Sequence, residues 1–163
     1  MEIELERTFL LKKIPVDLGS LRFMEVFDIY IPRSAEHMHL RIRKKGENFE
    51  ITKKHPVEGA DSSRLSEETI PLTKEEWLDL ATLQGKRVRK IRHYFPMGED
   101  IAEIDVFQDD LKGLILVDFE FKTVEAKNDF MAPDFCLAEV TQELFTAGGV
   151  LAGKKYEDIE ESL

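Results

Sequence analysis

The sequence predicts an α+β protein built on one antiparallel sheet of about eight strands, a number that tends to curl or close on itself. Three observations predict it. Strand-length stretches alternate charged with apolar residues, beginning with Glu2-Ile3-Glu4-Leu5-Glu6. Short turns join most of these stretches. One clear helix lies among them, too few for the crossovers that parallel strands require.

In chain order, Glu2–Lys12 reads as the first strand, and Pro15 ends it. Pro15–Ser20 is a short connection with room for one helical turn. Arg22–Ile31 is rich in β-branched and aromatic residues and stops at Pro32, a second strand. His37–Lys45 is the third: His37, His39, Arg41, Arg43 and Lys45 share one parity, and Met38, Leu40 and Ile42 the other. Gly46-Glu47-Asn48 turns the chain into Phe49–Lys54, where Glu50, Thr52 and Lys54 oppose Phe49 and Ile51. After a loop over His55–Ser63, Arg64–Ile70 is a strand with Arg64, Ser66 and Glu68 on one face.

Thr73-Lys74-Glu75-Glu76 fits a capping box, with Thr73 as the cap and Glu76 reaching back. The helix it opens carries Trp77, Leu78, Leu80, Ala81 and Leu83 and ends at Gly85, with Trp77 expected in the core. Arg87–Phe95 sets Val88, Lys90, Arg92 and Tyr94 on one face. Ile101–Phe107 opposes Glu103 and Asp105 to Ala102, Ile104 and Val106. Leu114–Lys122 opposes Asp118 and Glu120 to Ile115, Val117, Phe119 and Phe121. From Val124 the chain reads as helical pieces broken by Pro133 and by Gly148-Gly149, with an acidic surface stretch over Lys154–Leu163.

The 163 residues suffice for one domain with a real core, and one domain over 1–163 is expected. The 33 acids against 23 bases leave a net charge of -10, which argues against broad nucleic-acid or membrane-surface binding. It leaves room for a small anion in a local basic pocket. The single cysteine, Cys136, cannot form an internal disulfide, and the acidic N-terminal stretch has no signal-peptide apolar region. Apolar runs such as Leu114–Val117 are too short to span a bilayer. A cytoplasmic protein, monomeric or homodimeric, is expected.

The charged faces are of two kinds. Arg41, Arg43, Lys54, Arg64, Lys90 and Arg92 are basic; Glu4, Glu6, Glu68, Glu103, Asp105, Asp118 and Glu120 are acidic. Two arrangements are open. Either apolar faces pack inward and charges meet water, or the sheet closes with its charges inside and helices cover an apolar exterior. The second is costly unless each buried charge has a partner. A polyphosphate with a divalent metal is a suitable one: arginine forks match phosphate oxygens, lysine adds point charge, and carboxylate oxygens suit Mg²⁺ or Mn²⁺.

A resemblance favours the second. The stretch Glu4-Leu5-Glu6-Arg7-Thr8-Phe9-Leu10 is similar to the opening ExExK strand of the CYTH superfamily, the triphosphate tunnel metalloenzymes. Leu40-Arg41-Ile42-Arg43 matches its second motif, and Thr52-Lys53-Lys54 resembles its T-x-K strand. Ser63-Arg64, Lys90-Ile91-Arg92-His93-Tyr94 and Glu103-Ile104-Asp105-Val106-Phe107 resemble its middle blocks. Val117-Asp118-Phe119-Glu120-Phe121 resembles its late ExE strand, and Glu139-Val140-Thr141 its tail block. The matches follow one another in order over most of the chain.

The resemblance implies a closed eight-stranded antiparallel β-barrel, a tunnel with a charged interior flanked by helices. It implies metal-dependent hydrolysis of a triphosphate, most closely inorganic tripolyphosphate. Thiamine or nucleoside triphosphates, class IV adenylyl cyclase chemistry and catalytically silent polyphosphate binding are the alternatives. By carry-over, Glu4, Glu6, Asp118 and Glu120 are the metal candidates for Mg²⁺ or Mn²⁺. Arg41, Arg43, Lys54, Arg64, Lys90 and Arg92 are the phosphate candidates, with Glu68, Glu103 and Asp105 as a second tier. Lys54 is also a candidate for orienting or deprotonating water, which would need a lowered pKa. His37 and His39 are expected at a rim or in a structural role. Thr8 stands where the family has lysine, Ser66 where many relatives have a carboxylate, and Gly148-Gly149 where relatives carry a polar or basic residue, a loss that Lys154 or Lys155 could offset by closing one mouth.

Overall fold

Nine strands wind into one sheet in this computed structural model, which describes residues 1–163. They are β1 (Glu2–Leu11), β2 (Arg22–Ile31), β3 (Leu40–Lys45), β4 (Asn48–Pro56), β5 (Arg64–Leu72), β6 (Lys86–Met97), β7 (Asp100–Phe107), β8 (Ile115–Phe121) and β9 (Cys136–Glu139). The order β5-β4-β3-β2-β6-β7-β8-β1 closes into a ring because β1 also pairs with β5. Every pairing is antiparallel. The predicted closed eight-stranded barrel is therefore the observed one.

Closure depends on how β1 divides its edges. Glu2–Leu5 pair with β5 along one edge, and Leu5–Leu10 pair with β8 along the other. Where β5 leaves off, Phe9–Leu11 accept β9 instead. This ninth strand was not expected: Cys136-Leu137-Ala138-Glu139 has no polar–apolar alternation and follows Pro133. The third strand is shorter than expected and starts at Leu40. The residues before it are held differently, with the Met38 amide donating to the Gly149 carbonyl of the tail at 3.3 Å.

The short helices cover the outside and one end. In α1 (Lys74–Leu80) the Thr73–Glu76 capping box forms as expected. It presses Trp77, 8 % exposed, onto Phe27 and Phe49 of the outer wall. A second apolar layer, Phe9, Ala102, Ile104, Val117 and Phe119, faces outward from β1, β7 and β8 under Phe135 and Phe130. Against β1 and β8, α2 (Val124–Asp129) opens on Thr123, whose side chain caps it.

The tail holds α3 (Gly148–Leu151) and α4 (Tyr156–Ile159). Gly148-Gly149 were expected to break a helix, yet they begin one. Glycine is required there because a Cβ on Gly149 would collide with the Met38 backbone. Leu151, Ala152 and Ile159 bury against Tyr30, Val88, Phe107 and Leu116. Those four share the inward parity of their strands, so the tail fills one end of the bore with apolar side chains. Ile159 is thus core, within a stretch expected to be surface.

Candidate functional site

Strand parity builds the site. On β1, Glu4, Glu6 and Thr8 point inward; their cross-strand partners on β8 are Glu120 opposite Glu6 and Asp118 opposite Thr8. Asp118 lies opposite Glu103 on β7, and Arg92 on β6 opposite Asp105. Arg41 and Arg43 enter from β3 and Lys54 from β4. These side chains line one cavity of about 230 Å³ and share one side of the sheet because partners in an antiparallel ladder do.

Most of the cations are already matched. Arg43, 6 % exposed, donates Nε and Nη2 to the two oxygens of Asp28 at 2.7 and 2.8 Å. Burial works to raise the Asp28 pKa, but Arg43 outweighs it and holds the carboxyl below its ordinary value. Arg92 grips both oxygens of Asp105 at 2.7 and 2.8 Å and also pairs with Glu103. Asp105 binds Lys90 as well. Burial opposes ionisation of Asp105, yet Arg92 and Lys90 hold its pKa well below the usual carboxylate range.

Lys54 lies between Glu4 at 2.5 Å and Glu6 at 3.1 Å. Its pKa was expected to be lowered. Burial does pull it down, but Glu6 and then Glu4 outweigh that, and the pKa is raised. Lys54 is held here as an ammonium, not poised as a base. The lysine that is lowered is Lys90, through burial and the nearby Arg92 and Arg43, against the opposing pull of Asp105.

Two kinds of group lack matches. Arg41 makes no ion pair or hydrogen bond, and its Nε is buried without a partner. The acids are in excess: burial and the carboxylates of Glu6 and Asp105 push Asp118 up to about 7. Burial and the carboxylates of Glu103, Glu4 and Glu6 push Glu120 up to about 7 as well. The cavity therefore holds one guanidinium short of an anion and more carboxylates than cations, with Glu120 in no ion pair and Asp118 reached only by Arg92 at 3.8 Å.

The inorganic triphosphatase of Nitrosomonas europaea is 34% identical over 142 residues, 86% of this chain and 90% of that one. The chain belongs to the CYTH superfamily. A solved inorganic triphosphatase structure superimposes with a TM-score of 0.65 at 26% identity, covering 93% of this chain and 95% of that one. A Bacillus halodurans protein of adenylate cyclase type aligns with a TM-score of 0.53 at 18% identity over 98% of this chain and 97% of its own, a likeness of fold alone. No protein-family profile matches the chain.

Two CYTH carry-overs fall outside the cavity. Arg64 is exposed and pairs opposite the outward Leu5, and Glu68 is exposed opposite the outward Lys53. On β5 it is Leu65, Glu67 and Thr69 that share the inward parity; Thr69 bonds Thr52 at 2.9 Å. Strand parity could not settle this, because Arg64-Leu65-Ser66-Glu67-Glu68-Thr69 carries polar residues on both faces. Ser66 is buried, 2 % exposed, on the outward parity, so Glu67 is the inward carboxylate of that strand. Lys154 and Lys155 do not line the cavity; Gly148 and Gly149 do. His37 and His39 line it, rings 4.2 Å apart, with the His39 Nδ1 3.0 Å from the Lys54 carbonyl. Asp28 and Tyr30 were missed: they look like the apolar body of a strand, and the adjacent arginines of β3 are the signal that Asp28 needs a partner.

The CYTH superfamily implies a divalent metal, which takes hard oxygen ligands. Glu4, Glu6, Glu103, Asp118 and Glu120 offer hard oxygens, and burial with mutual repulsion raises the pKa of Asp118 and Glu120. By charge and donor type they fit Mg²⁺ or Mn²⁺. In the present geometry no group of three or more is arranged to hold an ion, and the Lys54 ammonium occupies the space between Glu4 and Glu6.

Proposed function

We propose that this chain hydrolyses inorganic triphosphate with Mg²⁺ or Mn²⁺. The observation that carries the reading is the mismatch across one cavity: Arg41 without an anion, Glu120 without an ion pair, and Asp118 reached only by Arg92 at 3.8 Å. A polyanion arriving with a divalent cation satisfies both. The inorganic triphosphatase relative supports the substrate class.

Glu4, Glu6, Asp118 and Glu120 would hold the metal, with Glu103 beside them. A divalent ion so held supplies charge neutralisation and polarises phosphoryl oxygens. Arg41 binds a phosphate by its guanidinium fork. Once displaced from Glu4 and Glu6, the Lys54 ammonium becomes a second cation for phosphate. Arg43, Lys90 and Arg92 contribute positive field from fixed positions, because Asp28 and Asp105 hold them in place. Water adds to the terminal phosphorus, the bridging P–O bond breaks, and orthophosphate and pyrophosphate result. The chain's contribution is positioning and electrostatics, which carry most of phosphoryl transfer.

The test is to incubate the protein with tripolyphosphate, ATP and thiamine triphosphate, each with Mg²⁺ or Mn²⁺, and follow orthophosphate, pyrophosphate and cyclic AMP. Fastest orthophosphate release from tripolyphosphate, dependent on metal and lost in Glu120→Ala, is the expected result. Cyclic AMP formation, or tight binding without turnover, would overturn it.

A further inference from the structure

We infer that Thr8 is a positioning residue: its hydroxyl fixes one oxygen of Asp118 so that the carboxylate presents the other to a divalent cation. This rests on the reading of Asp118 as a metal ligand and adds a residue to it.

Thr8 Oγ1 donates to Asp118 Oδ1 at 2.6 Å, across directly paired positions of β1 and β8. Asp118 Oδ2 has only a distant cation, Arg92 at 3.8 Å. One oxygen is therefore engaged and the other available.

Thr8 is itself held from behind. Its amide donates to the Thr141 hydroxyl at 3.0 Å, and its carbonyl accepts from the Val140 amide at 2.8 Å. Next to it, Arg7 is clamped by both oxygens of Glu139 at 2.8 and 2.7 Å. The tail block Glu139-Val140-Thr141 thus grips the Thr8 backbone and the Arg7 side chain beside it. A β-branched side chain on a fixed strand has few rotamers, so the hydroxyl direction is set.

Threonine gives a neutral donor that orients the carboxylate and leaves its charge available. Hydrogen-bond partners that orient a ligand typically change metal affinity about 10–100-fold when removed.

The experiment measures Mn²⁺ binding by electron paramagnetic resonance without substrate, in wild type, Thr8→Val, Thr8→Ser and Asp118→Asn. Circular dichroism checks folding, and Thr8→Ala replaces the valine variant should that one misfold. Expected are an affinity loss of about 10–100-fold in Thr8→Val, near-wild-type binding in Thr8→Ser, and a loss at least as large in Asp118→Asn. In tripolyphosphate turnover, raised Mn²⁺ should restore kcat to Thr8→Val. Wild-type Mn²⁺ affinity in Thr8→Val, with loss in Asp118→Asn, overturns the role of Thr8 and leaves the ligand reading standing. Wild-type affinity in Asp118→Asn overturns both.

Discussion

Arg41 and Arg43 stand two residues apart on the same face of β3, yet Arg43 is locked onto Asp28 by two hydrogen bonds and Arg41 has no partner. The two arginines of one motif thus do different work. Removing Arg43 leaves a buried carboxylate, 2 % exposed, without its counter-charge. We expect Arg43→Ala to cost about 3–5 kcal/mol, a melting-temperature drop on the order of 10 °C. Arg41→Ala should leave the melting temperature within a degree or two and raise KM for tripolyphosphate about 10–100-fold, as loss of charged hydrogen bonds to substrate would. Melting curves and steady-state kinetics on both variants check this. Equal stability loss in both would contradict it.

The crowded carboxylates make the metal-free protein sensitive to pH in a definite direction. Asp118 and Glu120 have ordinary values of 3.8 and 4.5 and folded-state values near 7. Between these limits the folded protein holds protons that the unfolded chain has released. These two groups therefore make stability fall as pH rises from about 4 to 7. Asp28 and Asp105 act oppositely: their depressed values give stability that is present above about 4 and lost in stronger acid. The metal-free melting temperature should peak in mild acid and decline toward pH 8. Mg²⁺ or Mn²⁺ should raise it more at pH 8 than at pH 5, where protons compete. Calorimetric scans across this range, with and without metal, measure both effects.

Neutralising one carboxylate should separate stability from activity. Glu120→Gln removes a charge that Glu103, Glu4 and Glu6 repel. Its expected signature is a higher melting temperature than wild type in chelator at pH 8, together with loss of metal-dependent turnover. A variant less stable than wild type under those conditions would mean that Glu120 is structural.

Lys54 offers a test of charge against proton transfer. Held as an ammonium by Glu6 and Glu4, it should be partly replaceable by another cation. Lys54→Arg should retain at least tenfold more activity than Lys54→Met in a tripolyphosphate assay. If the two are equally inactive, Lys54 acts through its proton after all.

How much of this was legible in the sequence follows from the alternation rule. Where one face is charged and the other apolar, as in Arg41-Ile42-Arg43 or Glu103-Ile104-Asp105, parity assigns each side chain to bore or exterior. Where both faces are polar, as from Arg64 to Thr69, parity has no anchor, and the face was misassigned. Asp28 sits in Val26-Phe27-Asp28-Ile29-Tyr30, whose apolar neighbours hide it; only the register that sets it opposite Arg43 gives it a role. The charge state of Lys54 was illegible for a related reason. It depends on Glu4 and Glu6, distant in sequence and brought near by closure of β1 against β5, next to β4. The tail strand β9 has no pattern of its own and exists because β1 has a vacant edge.

That division of β1 has a consequence for how the chain matures. Of the nine strands, β1 emerges from the ribosome before any of its hydrogen-bonding neighbours, since β5, β8 and β9 all follow it. Until they arrive it waits with both edges bare, a state that invites mispairing with other nascent chains. Glu2, Glu4 and Glu6 give the waiting ribbon a like-charged side that repels its own kind. Of these three, Glu4 and Glu6 later line the cavity.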